Sequence, residues 1–249
     1  MSEKFSYPRR QIIRKFIHHF SIAAFNLLSD FKIEGQENLP SEGPLLVVAN
    51  HFCFIDPVAV VRIAPWPLEF VGGAEFPHAP DIVQSLPKLW GFYPLHRGTA
   101  SRYALKAAES ILKQKGILGI FPEGGNWAEV LRPARPGTAF LASRTGAKIL
   151  PIALYGLNDI FPIRLGKRPI IHVKIGKPFG PFSTTGKGQQ RRQQLDAIGT
   201  NIMQHIADLL PDNFRGFLAK DPETRAAAKG TEIYPWEHTV EGGVNGKVH

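Results

Sequence analysis

The chain has 249 residues, 43% of them hydrophobic, enough to bury the core of one large α/β domain or two small ones and to exclude disorder over most of its length. Lys and Arg outnumber Asp and Glu by 30 to 21, for a net charge of +9; the excess favours an anionic partner such as a phosphate-bearing substrate, lipid head groups or nucleic acid. A single cysteine excludes an intramolecular disulfide and fits a reducing compartment, while no segment reaches the roughly 18–20 apolar residues of a membrane span or carries a signal-peptide core.

Residues 8–31 have the periodicity of a helix. Ile12, Ile13, Phe16, Ile17, Phe20, Ala23, Ala24, Leu27, Leu28 and Phe31 recur at three-four spacing and span an arc of roughly 160°, with Arg14, Lys15, His18 and His19 expected opposite. Two readings stand open: a helix that caps the core, and a basic amphipathic helix lying on an anionic membrane surface. Strand-like runs follow at Lys32–Glu34, Leu45–Ala49, Leu68–Gly72, Ile117–Phe121, Ile149–Tyr155 and Ile170–Ile175, with helical patterns at Ser101–Lys115, Thr138–Arg144 and Arg191–Leu210. This alternation predicts an α/β fold, a mixed, mostly parallel sheet flanked by helices. The division expected is an N-terminal segment 1–31, a main domain 32–210 and a C-terminal extension 211–249, partly loose.

The strand Leu45–Ala49 runs into Asn50-His51, and Asp56-Pro57 follows. Asp before Pro is a helix-start signal, with Asp expected to cap the free N–H groups. One continuous helix would separate His51 from Asp56, whereas a strand, a turn and a new helix bring them within hydrogen-bonding reach. A carboxylate on one imidazole nitrogen fixes the tautomer and makes the other a better base toward a hydroxyl. A loop histidine beside a capping aspartate is the plain alternative.

Three further stretches end on polar residues: Gly91-Phe-Tyr-Pro-Leu-His-Arg97-Gly98, Phe121-Pro122-Glu123-Gly124-Gly125-Asn126-Trp127, and Leu150-Pro151-Ile152-Ala153-Leu154. With the N-H-x4-D pattern of Asn50, His51 and Asp56, this ordered set resembles the four sequence blocks of the glycerolipid acyltransferase family, of the 1-acylglycerol-3-phosphate acyltransferase type. The resemblance runs from about Phe31 to Leu210 and implies a glycerol-3-phosphate acyltransferase-like fold. It implies His51 as general base on an acceptor hydroxyl and Asp56 as its orienting partner. Arg97, Glu123 and Gly124 would hold the acceptor, and Asn50, Gly125, Asn126 and Pro151 complete the implied substrate-binding set. The third block departs from the usual F-P-E-G-T-R-S: Asn126 stands at the arginine position, so either Arg132 or Arg135 takes over or the acceptor lacks the usual phosphate.

The function implied is transfer of a fatty acyl group from acyl-CoA or acyl carrier protein, as co-substrate, to a lysophospholipid or glycerol-phosphate-type acceptor, with no cofactor and no metal. The chain would then be cytoplasmic and peripheral on the inner face of the membrane, held by residues 8–31. Alternatives are a non-phosphorylated acceptor, a thioesterase and a non-catalytic module that binds anionic lipid. Nucleic acid is not expected, because no RNP, KH-type or zinc motif accompanies the basic residues. Cys53 inside the first block reads as a small packing residue, with an acyl-cysteine as the sharper alternative.

Overall fold

A computed structural model describes residues 5–73, 87–95 and 102–233. Its elements in order are α1 (Gln11–Leu28), β1 (Asp30–Glu34), β2 (Leu45–Ala49), α2 (Asp56–Ile63), β3 (Leu68–Gly73), β4 (Tyr93–Leu95), α3 (Arg102–Lys113), β5 (Ile117–Ile120), α4 (Pro136–Thr145), β6 (Lys148–Tyr155), β7 (Ile170–Ile175), α5 (Gly188–Leu209) and α6 (Pro222–Ala227). The strands form one seven-stranded sheet in the order β1-β7-β6-β2-β5-β3-β4. Every neighbouring pair is parallel except β6 and β7.

β2 lies at the centre, and all five of its residues are buried. An apolar run without alternation is what a strand covered on both faces requires. Leu46 and Val48 point into a layer with Ala104, Ala107 and Ile111 of α3, Leu141 of α4 and Ile202 and Ile206 of α5. Leu45, Val47 and Ala49 point the other way, toward Ala59 and Val60 of α2 and Ile17 and Phe25 of α1. Removing each large side chain from water stabilises the fold by about 1.5–3 kcal/mol.

One expectation needs correction: α1 packs along the border of its expected polar face rather than through the middle of its apolar arc. Arg14, Ile17, Ser21 and Phe25 are buried, Lys15 and His19 stay exposed, and Ile12, Phe16, Phe20 and Leu27 are 59–86% exposed. The reason is an ion pair invisible to periodicity. Arg14 reaches Glu69 of β3, which is fully buried, with N···O distances of 2.6 and 2.8 Å, and its Nε donates to the carbonyl of Trp90 at 3.0 Å. Arg9 joins the same carboxylate at 2.6 Å. A buried carboxylate that gains two guanidinium partners fixes which side of the helix faces inward.

The C-terminal extension is packed as far as residue 233. Phe214 stacks on Phe52 at 6.0 Å and meets Tyr155 at 5.5 Å, its carbonyl accepts from the Leu131 N–H at 2.9 Å, and the Trp127 indole donates to the carbonyl of Thr231 at 2.8 Å. Residues 234–249 lie outside the described residues. No helix among the described residues is long and apolar enough to cross a membrane.

Candidate active site

The C-terminal end of β2 delivers Asn50 and His51 to one edge of the sheet, and α2 begins five residues later at Asp56. His51 Nδ1 lies 2.9 Å from Asp56 Oδ2. That oxygen also accepts from the backbone N–H groups of Phe52 at 2.7 Å and Cys53 at 2.8 Å. Asp56 is therefore the first residue of α2 rather than its cap, and its carboxylate turns back onto the loop instead of onto the helix's own N–H groups. Its negative charge still sits at the positive end of the helix dipole. Burial pushes the Asp56 carboxyl up, opposed first by the hydrogen bond and charge of His51 and then by the two backbone donors.

The ring of His51 stacks on Phe121 at 4.3 Å, which sets its plane. Among the described residues its Nε2 has no hydrogen-bond partner, and the side chain is 16% exposed. An imidazole oriented through Nδ1 by a buried carboxylate presents Nε2 as a base to whatever enters from solvent.

Glu123 follows β5 in a tight turn in which the Gly124 N–H donates to the carbonyl of Phe121 at 3.1 Å, with Gly124 at φ 80°. That backbone conformation favours glycine. The Glu123 carboxylate has no exposed surface: Oε1 accepts from the His51 backbone N–H at 2.7 Å, and Oε2 from the Arg132 backbone N–H at 3.1 Å and Nε at 2.9 Å. Burial pushes this carboxyl up to about 7 against the opposing charge of Arg132. Arg132 is itself buried. Its Nη2 donates to the carbonyls of His51, at 3.1 Å, and Gly125, and its guanidinium lies 3.8 Å from the Trp127 ring centre. Glu123 and Arg132 brace the loop that carries His51. Sequence reasoning considered Arg132 only as a replacement phosphate-binding cation; the signal for its actual place is its position nine residues after Glu123, which spacing alone does not interpret.

The other expected positions fall as follows. Asn50 is fully buried, its amide donating to the Leu154 carbonyl and accepting from the Leu154 N–H, both at 2.7 Å. It extends the β2–β6 pairing past Ala49. Pro151 is buried inside β6, opposite Val48. Gly124 is exposed, Gly125 buried and Asn126 half-buried. A side chain at Gly125 would collide with the Trp127 ring. Arg135 is exposed, with its stem beside Gly124. Arg97 lies outside the described residues. The structure thus brings His51, Asp56, Asn50, Glu123, Gly124 and Gly125 together at one sheet edge. Among the described residues, no group of three or more His, Cys, Asp or Glu is arranged to hold a metal ion.

The acyltransferase family profile matches residues 30–155, half of the chain, and so includes this entire constellation apart from its C-terminal supports. The chain belongs to the acyltransferase family. It is 26% identical over 131 residues to a 1-acyl-sn-glycerol-3-phosphate acyltransferase of Borreliella burgdorferi, covering 52% of each chain. It is also 26% identical over 188 residues to the protein of that name from Bacillus subtilis, covering 74% of this chain and 90% of that one. The chain therefore spans about half the length of the first relative and most of the second. Its fold is similar to the crystal structure of the 1-acyl-sn-glycerophosphate acyltransferase PlsC from Thermotoga maritima, with a TM-score of 0.54 and 22% identity, over 80% of this chain and 83% of that one.

Proposed function

We propose that this acyltransferase moves a fatty acyl group from a thioester, acyl-CoA or acyl carrier protein, to the hydroxyl of a lysophospholipid or glycerol-phosphate-type acceptor in phospholipid synthesis. The observation that carries the reading is the 2.9 Å contact between His51 Nδ1 and Asp56 Oδ2, with that carboxylate pinned by two backbone N–H groups. His51 Nε2 takes the acceptor hydroxyl proton as the oxygen attacks the thioester carbonyl. The tetrahedral intermediate collapses with loss of the thiolate, which takes that proton back from the imidazolium. The developing imidazolium is stabilised by Asp56. No covalent acyl-enzyme and no cofactor are needed.

Arg135, the exposed cation beside Gly124, is the residue of this loop suited to an acceptor phosphate, since Arg132 is sealed inside. The exposed stripe of Ile12, Phe16, Phe20 and Leu27 on α1, free of acidic neighbours from Gln11 to Leu28, suits a place on the inner face of a membrane.

Transfer from labelled palmitoyl-CoA to glycerol 3-phosphate, lysophosphatidate, other lysophospholipids and non-phosphorylated alcohols tests the reading. Wild type acylates a phosphate-bearing acceptor, and His51→Ala lowers kcat by about 10²–10⁴-fold, the usual worth of a general base. Turnover indifferent to His51→Ala overturns the mechanism. Preference for a non-phosphorylated alcohol overturns the acceptor, and release of free fatty acid as the main product makes the enzyme a thioesterase.

A further inference from the structure

The segment joining β6 to β7 carries a surface that the catalytic apparatus does not use. Residues 162–168 are all exposed, among them Ile163 at 56% and Leu165 at 80%, with Ile170 also open at the start of β7. Interleaved with them are Arg164, Lys167 and Arg168, and no acidic residue occurs between Ile160 and Gly180. The segment is ordered by its own contacts: the Lys167 N–H donates to the Arg164 carbonyl at 3.2 Å, and Arg168 donates to the carbonyl of Ser29 at 2.8 Å. Large apolar side chains held out in water between cations are unfavourable unless something apolar and anionic covers them.

The topology fixes where this surface faces. β2 and β6 are parallel, so the end of β6 lies beside His51. β7 is antiparallel to β6 and β1 parallel to β7, so both β7 and β1 start at that same end, as does the C-terminal end of α1 just before β1. The segment also touches the catalytic loop. Phe161 packs on Phe54 at 4.8 Å, and Asn158, just ahead of it, donates to the Phe52 carbonyl at 3.3 Å.

We propose that residues 162–170 are a second membrane contact: Ile163 and Leu165 enter the head-group boundary of an anionic bilayer, while Arg164 and Lys167 meet its phosphates. The inference rests on the membrane reading of α1 and adds to it. Two contacts fix an orientation that one helix free to roll does not, and they turn the His51 edge toward the lipid. The chemistry favours a bilayer over nucleic acid, since Ile163 and Leu165 would gain nothing from a phosphate backbone in water.

The chain's only cysteine, Cys53, is buried, so an environment-sensitive dye on Leu165→Cys reports this loop alone. On vesicles of phosphatidylcholine and phosphatidylglycerol in equal parts, its emission shifts to the blue, and it does so less on phosphatidylcholine alone. In sedimentation with the same vesicles, Arg164→Gln/Lys167→Gln lowers the partition coefficient about 30-fold, from two charges near an anionic surface. Ile163→Ser/Leu165→Ser lowers it on both compositions. Circular dichroism of each variant matches wild type, because every changed side chain is exposed. If wild type binds, Phe16→Ser/Phe20→Ser weakens binding and the loop variants and dye do not respond, the inference fails while the membrane reading of α1 stands. If wild type binds neither vesicle, both fail.

Discussion

Asp56 Oδ2 holds three donors at once, His51 Nδ1 and the backbone N–H groups of Phe52 and Cys53, so a single carboxylate orients the base and shapes the loop that carries it. Cys53 sits within this arrangement as a buried thiol, pushed up to about 12 by burial and then by the charge of Asp56. A thiolate is the form that attacks carbon, so a buried thiol held protonated fits a packing residue better than an acyl carrier. Iodoacetamide at pH 8 is expected to leave the folded protein unmodified and to label Cys53 once urea unfolds it; rapid labelling of the native enzyme would restore the acyl-cysteine. The linkage has a definite sign. The thiol ionises at about 12 folded against 9.0 for the exposed group, so its contribution to stability is whole below pH 9.0 and is lost as pH rises from there through 12. That contribution is absent from Cys53→Ala, whose unfolding free energy should fall less steeply above pH 9.0. The thiol was legible in the sequence as a packing residue, but its inertness depends on depth, which no local pattern encodes.

Helix α1 is the element on which the pattern misled. Its apolar residues are numerous enough to predict a helix, yet the inward face was chosen by Arg14 and the fully buried Glu69, 55 positions apart in the chain. Removing one member of a buried pair strands the other without a partner, so Arg14→Ala should cost about 3–5 kcal/mol of unfolding free energy in a urea titration. Phe16→Ser/Phe20→Ser, on the open face, should change it by about 0.5 kcal/mol per residue or less. Equal costs for the two variants would mean that α1 packs through its apolar stripe after all. In α2, by contrast, Asp-Pro marked the start of the helix, because proline at the first turn is a local constraint that holds wherever the helix packs. The direction of the Asp56 carboxylate was decided by the loop just before it: the N–H groups of Phe52 and Cys53, four and three residues back, take it in place of those of the helix.

At the scale of the whole molecule, the site is built from both ends of the chain. Gly216 has φ 54°, and a Cβ there would overlap the Leu131 carbonyl oxygen, one residue before the buried Arg132. The segment after α5 thus presses on the same strut that runs from Arg132 through Glu123 to the backbone of His51. Gly216→Ala should lower the melting temperature and reduce kcat together, since lifting this segment loosens the strut. An enzyme of unchanged kcat and lower stability would confine the segment to a supporting role.

Elements with a repeating apolar pattern were determined by the sequence itself: β2 as a run buried on both faces, the alternation that yields a mostly parallel sheet, and the strand-turn-helix that brings His51 toward Asp56. Each follows from local geometry, where side-chain period and turn chemistry act over a few residues. Only the tertiary structure decided that Asn50 pairs with Leu154 across 104 positions, that Glu123 and Arg132 face inward, that α1 shows its apolar side to the outside, and that the β6–β7 segment stands beside the catalytic loop. These are choices among partners distant in the chain, and a polar side chain has no fixed partner until the fold sets which donors and acceptors are shut away from water.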